Sequence, residues 1–231
     1  ATQRISRPRT KTIDPGVAVT CNDTHVTRAK IRRDPQPASK AAQKSLGAPK
    51  QTGANQDRKL LPARAATIEQ KRLERQDAIR DRWTMEYEDT TPGDVCVVEI
   101  ALGDDIYVFD SEKGRLVGWT GLSERQEQER DSSRLRGMPK GGREGDTRQY
   151  HRSHVKSHGE GGGLDINIFP GLASLNLGKA WTSLEKYARE HLGTPHSVRL
   201  IYDDDSQVPA RLEAEITLQD GTVVTREFDH H

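Results

Sequence analysis

The aromatic residues of this chain are confined to its later part, and this limits where a core can form. All eleven, from Trp83 to Phe228, lie after residue 82, and residues 1–64 contain none. Folding requires enough buried apolar surface to offset the lost chain entropy, and aromatic side chains bury the most surface each. The sequence therefore predicts a folded body after residue 64, preceded by a segment without a core of its own.

The net charge of the chain also differs on the two sides of residue 64. Residues 1–64 carry fourteen Lys or Arg and four Asp, a net charge of +10, whereas the remainder carries 22 basic and 31 acidic residues, a net charge of −9. The first segment shows no helical or strand period and is rich in Pro, Gly, Gln, Ser and Ala, which predicts a disordered basic tail or linker over 1–64. Clustered cations also displace counterions from nucleic acid, so the tail is a candidate phosphate-binding arm.

Compartment signals are few. No stretch approaches the roughly 18 apolar residues of a membrane span, and no signal peptide opens the chain. The first residue is not Met, which indicates processing or a piece of a longer protein. Of the two cysteines, Cys21 lies in the predicted tail and Cys96 in a predicted strand, so both are expected to be free thiols. The closing His230–His231 is either native or the remnant of a tag.

The body is predicted to be α+β. Residues 65–85 are rich in helix formers and i,i+4 charge pairs, which predicts a helical lead-in over 65–90. Residues 173–192 carry one apolar stripe at helical spacing, which predicts one central helix. Six runs rich in β-branched and aromatic residues predict strands: 95–102, 105–112, 114–121, 197–204, 210–218 and 222–228. The first three form a predicted antiparallel meander, and Asp220-Gly221 is the predicted tight turn between the last two.

Groups capable of chemistry concentrate over residues 150–185, YHRSHVKSHGEGGGLDINIFPGLASLNLGKAWTSLE. His154 is a candidate general base, because a neutral imidazole takes a proton from water near neutral pH. His151 and His158 flank it, and a surface or packing role is the alternative for each of the three. Two cations interleaved with these histidines indicate an anion site: Arg152 and Lys156.

Asparagine and acidic residues complete the candidate site. Asn167 and Asn176 offer neutral oxygen ligands suited to a hard cation, with a turn or helix cap as the alternative role. Glu185 and Arg189 stand four residues apart and share one face of the predicted helix. From composition alone, an ordinary salt bridge is the favoured interpretation of that pair.

The order of these residues resembles the DNA/RNA non-specific endonucleases, a branch of the ββα-metal (His-Me finger) nucleases. HRSH (151–154) stands for the family's DRGH, GEGGG (159–163) for its glycine-rich loop, and NIFPG (167–171) for its asparagine–proline segment. LNLGKAWTSLE (175–185) and Arg189 follow in the family's order. The similarity covers about residues 95–229 and is closest to a subgroup found as C-terminal toxin domains of bacterial secreted effectors.

Several positions depart from the family motif. His151 replaces the motif aspartate, and Ser153 replaces its glycine. Gly171 stands where the family usually has glutamine. The interval from Asn176 to Glu185 is one residue longer than in well-known members.

The resemblance implies a nuclease-like domain over 91–231 and a mechanism. His154 would be the general base that activates water for attack on a phosphodiester. Asn176, with Asn167, would hold Mg²⁺, with Mn²⁺ as the other candidate ion. Arg152 or Arg189 would clamp a phosphate oxygen, and Glu185 would orient a metal-bound water or Arg189. The substrate would be DNA, RNA or both, with little sequence preference.

The same resemblance implies a biological setting. A toxin of this subgroup would be secreted or injected, would act in the cytoplasm of a target cell, and would have an inhibitory immunity protein as a partner. The acidic runs 203–205 and 213–215 are candidate faces for that partner, with solvated loops as the alternative. The basic strip 134–143 is a candidate contact with nucleic acid, and a solvated flexible loop is the alternative there.

Three other functions stay open. His154, His158 and Asp165 could form a zinc site, although the glycines at 159 and 161–163 oppose the continuous helix that such spacing usually needs. The basic tail could serve a nucleic-acid-binding protein without catalysis. A degenerate nuclease fold could act as an interaction module, which His151 in place of aspartate favours.

Overall fold

The computed structural model describes residues 9–14, 17–21, 27–30, 57–125, 142–143, 145–163 and 166–230, with side chains from residue 65 onward. Over these residues the protein is α+β, with a mostly antiparallel sheet and few helices, as predicted. The strands are β1 (Arg9–Asp14), β2 (Val17–Cys21), β3 (Thr27–Lys30), β4 (Val97–Leu102), β5 (Asp105–Asp110), β6 (Arg115–Leu122), β7 (Tyr150–His154), β8 (Ile168–Leu172), β9 (Pro195–Ile201), β10 (Arg211–Thr217) and β11 (Val223–Asp229). The helices are α1 (Asp57–Thr90), α2 (Ala173–Asn176) and α3 (Lys179–Glu190), with a 3-10 turn at His158–Glu160.

Seven strands form the central sheet in the order β11-β10-β9-β6-β5-β4-β3. The predicted meander β4–β5–β6 and the hairpin β10–β11 are both present and antiparallel. The hairpin turns through Gly221 at φ +87°, which glycine adopts without strain. Only β3 runs parallel to its neighbour in this sheet.

Helix α1 covers one face of the sheet. Trp83 lies against Gly118, where an added Cβ would stand 2.7 Å from the indole ring, so the helix approaches β6 closely. Arg80 is buried in the same layer and donates to Glu99 on β4 and to Thr120 on β6. The predicted helix is therefore confirmed and packs directly on the sheet.

The other face of the sheet is covered by helix α3 and the β7–β8 hairpin. Trp181 and Leu184 of α3 join Phe169 of β8 and Trp119 of β6 in the largest buried cluster. Trp181 also meets Phe228 edge-on, with ring centroids 5.1 Å apart. Strand β6 is buried along almost its whole length because both faces of the sheet are covered.

The β7–β8 hairpin and the helices α2 and α3 belong to one continuous segment that leaves the sheet and returns to it. Strands β6 and β9 are neighbours, yet the whole of β7, β8, α2 and α3 lies between them in sequence. Two backbone hydrogen bonds join the ends of this segment: Ser123 N donates to Thr194 O (3.1 Å) and Gly193 N to Ser123 O (2.7 Å). We call this closed segment, residues 123–194, the inserted unit.

Several predictions need correction. Strands β1–β3 and the start of α1 at Asp57 lie where the sequence predicts no regular structure. The predicted central helix is two helices, because the chain is extended at Gly178 (φ −69°, ψ 146°) and α3 begins after it. Cys96 is disulfide-bonded rather than a free thiol, and Cys21 is the one other cysteine in the sequence.

His230 is part of the folded structure. Its ring is fully buried. Its Nε2 accepts from Leu172 N (2.6 Å), and its Nδ1 faces Pro209 O at 2.7 Å, so Nδ1 carries the proton. The C-terminal strand is thereby attached to the end of β8.

Candidate functional site

The inserted unit contains every site residue predicted from the sequence. Its elements follow the order strand, glycine-rich loop, strand, helix, helix. The predicted residues lie on β7 (Arg152 and His154), just before β8 (Asn167), at the end of α2 (Asn176) and on α3 (Glu185 and Arg189). They fall into two groups, those on the hairpin and α2 and those on α3.

His154 is the last residue of β7 and directly precedes the loop. It pairs with Ile168 of β8, and its side chain is 8% exposed. Arg152, two residues earlier, is half-buried, and alternate positions of a strand point to the same face. The candidate base and the candidate phosphate clamp therefore share one face of the hairpin.

Asn167 clamps the loop instead of presenting its oxygen to solvent. Its Oδ1 accepts from Lys156 N, and its Nδ2 donates to Lys156 O and Gly163 O, each at 2.8 Å. Its side chain is 1% exposed. A Cβ on Gly162 would overlap the Lys156 carbonyl and approach Asn167 Nδ2 to 2.8 Å, so this tight loop needs glycine there. The position of Asn167 thus favours a structural role over metal binding.

Asn176 lies against His151. Its Nδ2 is 3.5 Å from His151 Nδ1, the long limit of a hydrogen bond. Both side chains are half-buried, so solvent and ions can reach them. Sequence analysis placed His151 beside the candidate base and in place of the motif aspartate, and the structure makes it the neighbour of the candidate metal ligand.

The second group joins α3 to the loop. The Arg189 side chain lies over Gly159, where an added Cβ would stand 2.7 Å from Arg189 Cδ and 3.3 Å from its Nη1. Trp181 Nε1 donates to Glu185 Oε1 (3.2 Å). Burial raises the pKa of Glu185, the charge of Arg189 opposes this rise, and the charge of Glu160 adds to it. An exposed guanidinium and a half-buried carboxyl therefore adjoin the loop that follows His154.

Sequence reasoning missed a buried carboxylate, Glu160, in the glycine-rich loop. Glu160 is 1% exposed and accepts from Ser123 (2.8 Å), Ser157 (2.7 Å) and His196 Nδ1 (2.9 Å). Burial alone would raise the pKa of Glu160, but the hydrogen bond and charge of His196 and the two hydroxyls outweigh it and hold that pKa below its usual value. A carboxylate inside a glycine-rich stretch was the available signal. Two of its three partners, His196 and Ser123, lie 36 and 37 residues away, so no local pattern connects them to Glu160.

Lys156 does not belong to an anion site, contrary to the prediction. It is completely buried, and its Nζ contacts both oxygens of Asp105 at 2.9 and 3.0 Å. Burial raises the pKa of Asp105, although the charge of Lys156 and hydrogen bonds from Lys156 and Trp119 oppose the rise. The ammonium group therefore anchors the loop to β5 and is committed to that carboxylate.

The acidic runs are largely used within the protein. Arg143 pairs with Asp203 (2.9 Å) and Asp204 (3.4 Å), and Lys113 pairs with Asp205 (2.9 Å). In the second run, Glu213 and Glu215 pair with the following cations: Arg199, Arg211 and Arg75. Apart from residues 142 and 143, the basic strip 134–143 lies outside the described residues, as does Asp165 of the zinc alternative.

Comparison by sequence finds no relative of this chain. No model of a protein family matches this chain, and no curated protein matches it significantly in sequence. Within the described ranges, no group of three His, Cys, Asp or Glu side chains is arranged to hold a metal ion. No helix among those residues is long and apolar enough to cross a membrane.

Proposed function

We propose that this chain is a metal-dependent endonuclease that hydrolyses phosphodiester bonds of DNA, RNA or both, with His154 as general base. One observation carries the proposal. The inserted unit runs from β7 through the loop to β8 and then into α2 and α3, the strand–strand–helix order after which the ββα-metal nucleases are named. His154, Asn176 and Arg189 fall at the end of the first strand, the end of the first helix and the last turn of the second.

Three side chains have separate roles in the proposed reaction. His154 accepts a proton from water as that water attacks phosphorus, and its largely buried position limits the competing solvent. Arg189 holds a nonbridging phosphate oxygen, because its planar fork of donors is exposed and rests across the loop at Gly159. Arg152 provides a second cation on the face of His154.

The residues present fit a divalent ion at Asn176 and not at Asn167. Asn176 is accessible, and no hydrogen bond from a described residue reaches its Oδ1. The amide of Asn167, in contrast, is hydrogen-bonded to the backbone of the loop. A bound ion with a neutral oxygen ligand and several waters supplies charge neutralisation at the phosphate, which suits Mg²⁺ or Mn²⁺.

The proposed setting follows the toxin subgroup that the sequence resembles. The protein would be secreted or injected and would act on nucleic acid in a target cell, with an immunity protein as its inhibitor. The disulfide at Cys96 supports passage through an oxidising compartment, since disulfides persist there and are rare in the cytosol. Because contacts to phosphate carry no base information, cleavage should show little sequence preference.

The test is cleavage of supercoiled plasmid and of total RNA by the purified chain, with Mg²⁺, with Mn²⁺ and with EDTA. We expect metal-dependent degradation that His154→Ala reduces at least about 100-fold, the usual contribution of a general base. His191→Ala is the matched control, because that histidine directly follows α3 and its Nδ1 contacts the Tyr187 carbonyl outside the proposed site. Asn176→Ala should also inactivate, whereas Asn167→Ala should lower stability together with activity.

Inert wild-type protein that is folded by circular dichroism would contradict the proposal. Gel-shift binding without cleavage, lost on deletion of residues 1–64, would favour the nucleic-acid-binding alternative. Full activity in His154→Ala would remove this residue from the mechanism while leaving the nuclease activity in place.

A further inference from the structure

The contact between His151 and Asn176 brings a nitrogen ligand to the candidate metal site. His151 occupies β7 opposite Gly171 in the hairpin, and α2 begins two residues after Gly171 and ends at Asn176. The two side chains are thus held by a paired strand and by the helix that follows its partner. Their spacing depends on regular backbone and not on a long loop.

The separation of the two side chains is compatible with one shared ion. His151 Nδ1 and the nearest amide atom of Asn176 are 3.5 Å apart. Two ligands with bonds of about 2.1 Å stand about 3.0 Å apart at an octahedral ion and about 3.4 Å apart at a tetrahedral one. A half-turn of the Asn176 amide exchanges its nitrogen for its oxygen, and the hydrogen bond that this rotation breaks is long and therefore weak.

We propose that His151 and Asn176 together form a divalent-metal site whose imidazole selects a transition-metal ion over Mg²⁺. This inference rests on the proposed function, because it names the protein ligands of the metal ion proposed there. Imidazole nitrogen is a poor ligand for Mg²⁺, which prefers oxygen and retains its waters. With mixed nitrogen and oxygen ligands, affinity rises from Mn²⁺ through Co²⁺ to Ni²⁺.

The accessibility of the pair supports binding from solution. Both side chains are half-buried. His151 lies three residues before His154 on β7, and because side chains alternate along a strand it faces the other side of the hairpin. Waters and substrate phosphate can complete the coordination shell, as expected for a site with two protein ligands.

The test is isothermal titration calorimetry of the full chain, treated with EDTA and then freed of it, against Mg²⁺, Mn²⁺ and Ni²⁺ at pH 7.5. We expect Ni²⁺ and Mn²⁺ to bind more tightly than Mg²⁺. His151→Ala should weaken Ni²⁺ binding by more than about 10-fold. His151→Asp, which restores the carboxylate of the resembling family, should raise Mg²⁺ affinity and reverse the preference.

Two histidine controls exclude adventitious binding. His158→Ala and His191→Ala remove other half-buried histidines and should leave Ni²⁺ affinity unchanged. Asn176→Ala should weaken Ni²⁺ as well as Mn²⁺. Circular dichroism on every variant separates lost binding from lost fold.

The outcomes distinguish this inference from the proposed nuclease. Equal Ni²⁺ affinity in wild type and His151→Ala, or no metal binding by folded wild type, would overturn the inference. Binding that depends on both residues in a protein that cuts neither DNA nor RNA would uphold the metal site and reject the nuclease. Cleavage supported by Mg²⁺ alone, with no response to His151→Asp, would uphold the nuclease and reject the site.

Discussion

A substitution at Gly171 tests how tightly the two strands of the β7–β8 hairpin pack against each other. Gly171→Ala adds a Cβ that would overlap the hydroxyl of Ser153 and stand 2.6 Å from the Ser153 Cβ. Rotation of the serine removes the overlap with the hydroxyl but cannot move its Cβ. The backbone of one strand must therefore retreat.

The size of this retreat sets the expected effect. Ordinary Cβ contacts begin at 3.4 Å, so the strands must separate by about 0.8 Å at this point. Overpacking of this kind costs about 1–3 kcal/mol. For a chain of this size, such a loss lowers the melting temperature by about 2–12 °C.

The assay is urea denaturation monitored by circular dichroism on Gly171→Ala, on two serine variants and on the two double variants that combine them. Ser153→Gly removes the opposing Cβ, so it should relieve the effect of Gly171→Ala by a coupling energy of about 1–3 kcal/mol. Ser153→Ala is the matched control, because it removes only the hydroxyl and retains the Cβ. The Ser153→Ala double variant should therefore stay destabilised.

Two results would refute this reasoning: a Gly171→Ala protein as stable as wild type, or equal rescue by Ser153→Ala and Ser153→Gly.

Further substitutions probe the buried polar groups. His230→Ala should lower the free energy of unfolding by about 1–3 kcal/mol, because it leaves a buried backbone N–H unsatisfied. His230→Gln retains a donor and an acceptor and should lose less stability. Thermal unfolding measures both variants. Glu160→Gln should lower the free energy of unfolding at pH 7. The difference in stability from wild type should shrink as the pH falls from 4.5 through the lowered folded-state pKa, because the wild-type carboxylate then becomes protonated. Urea titrations from pH 3 to 7 measure this difference. Glu185→Gln should stabilise the protein at pH 7 and have no effect on stability well below pH 4.5, because the folded-state pKa of Glu185 is raised. The same urea titrations measure this effect. Stabilisation together with reduced nuclease activity would indicate a functional carboxylate. Lys156→Met should lose about 3–5 kcal/mol by leaving Asp105 without its cation, and the double variant with Asp105→Leu should recover most of this in urea denaturation.

Local patterns predicted much of the sheet. The meander and the Asp220-Gly221 hairpin were predictable because each strand is short, apolar and bounded by its own turn. The position of β9 beside β6 was not, because it depends on a contact that closes over the whole inserted unit. The break at Gly178 was missed because the apolar stripe of 173–192 continues across it.

The candidate site was predictable only where residues share a local segment. The roles proposed for His154, Asn176 and Arg189 came from their order, and these roles stay predictions. Asn167 was chosen for its amide oxygen, but the structure gives that oxygen to the loop backbone. The partnership of Glu160 with His196 was unpredictable, because buried polar groups acquire partners only when distant strands assemble.

The closed stem of the inserted unit has a consequence for how such a chain can change. Ser123, Gly193 and Thr194 meet at the edge between two adjacent strands, so the chain leaves the sheet and returns to it at nearly the same point. A different segment that began and ended there would leave the pairing of β6 with β9 intact, provided that it again covered Trp119. The sheet and the inserted unit are therefore separable in sequence, because one contiguous stretch of chain carries the whole unit and no strand of the sheet.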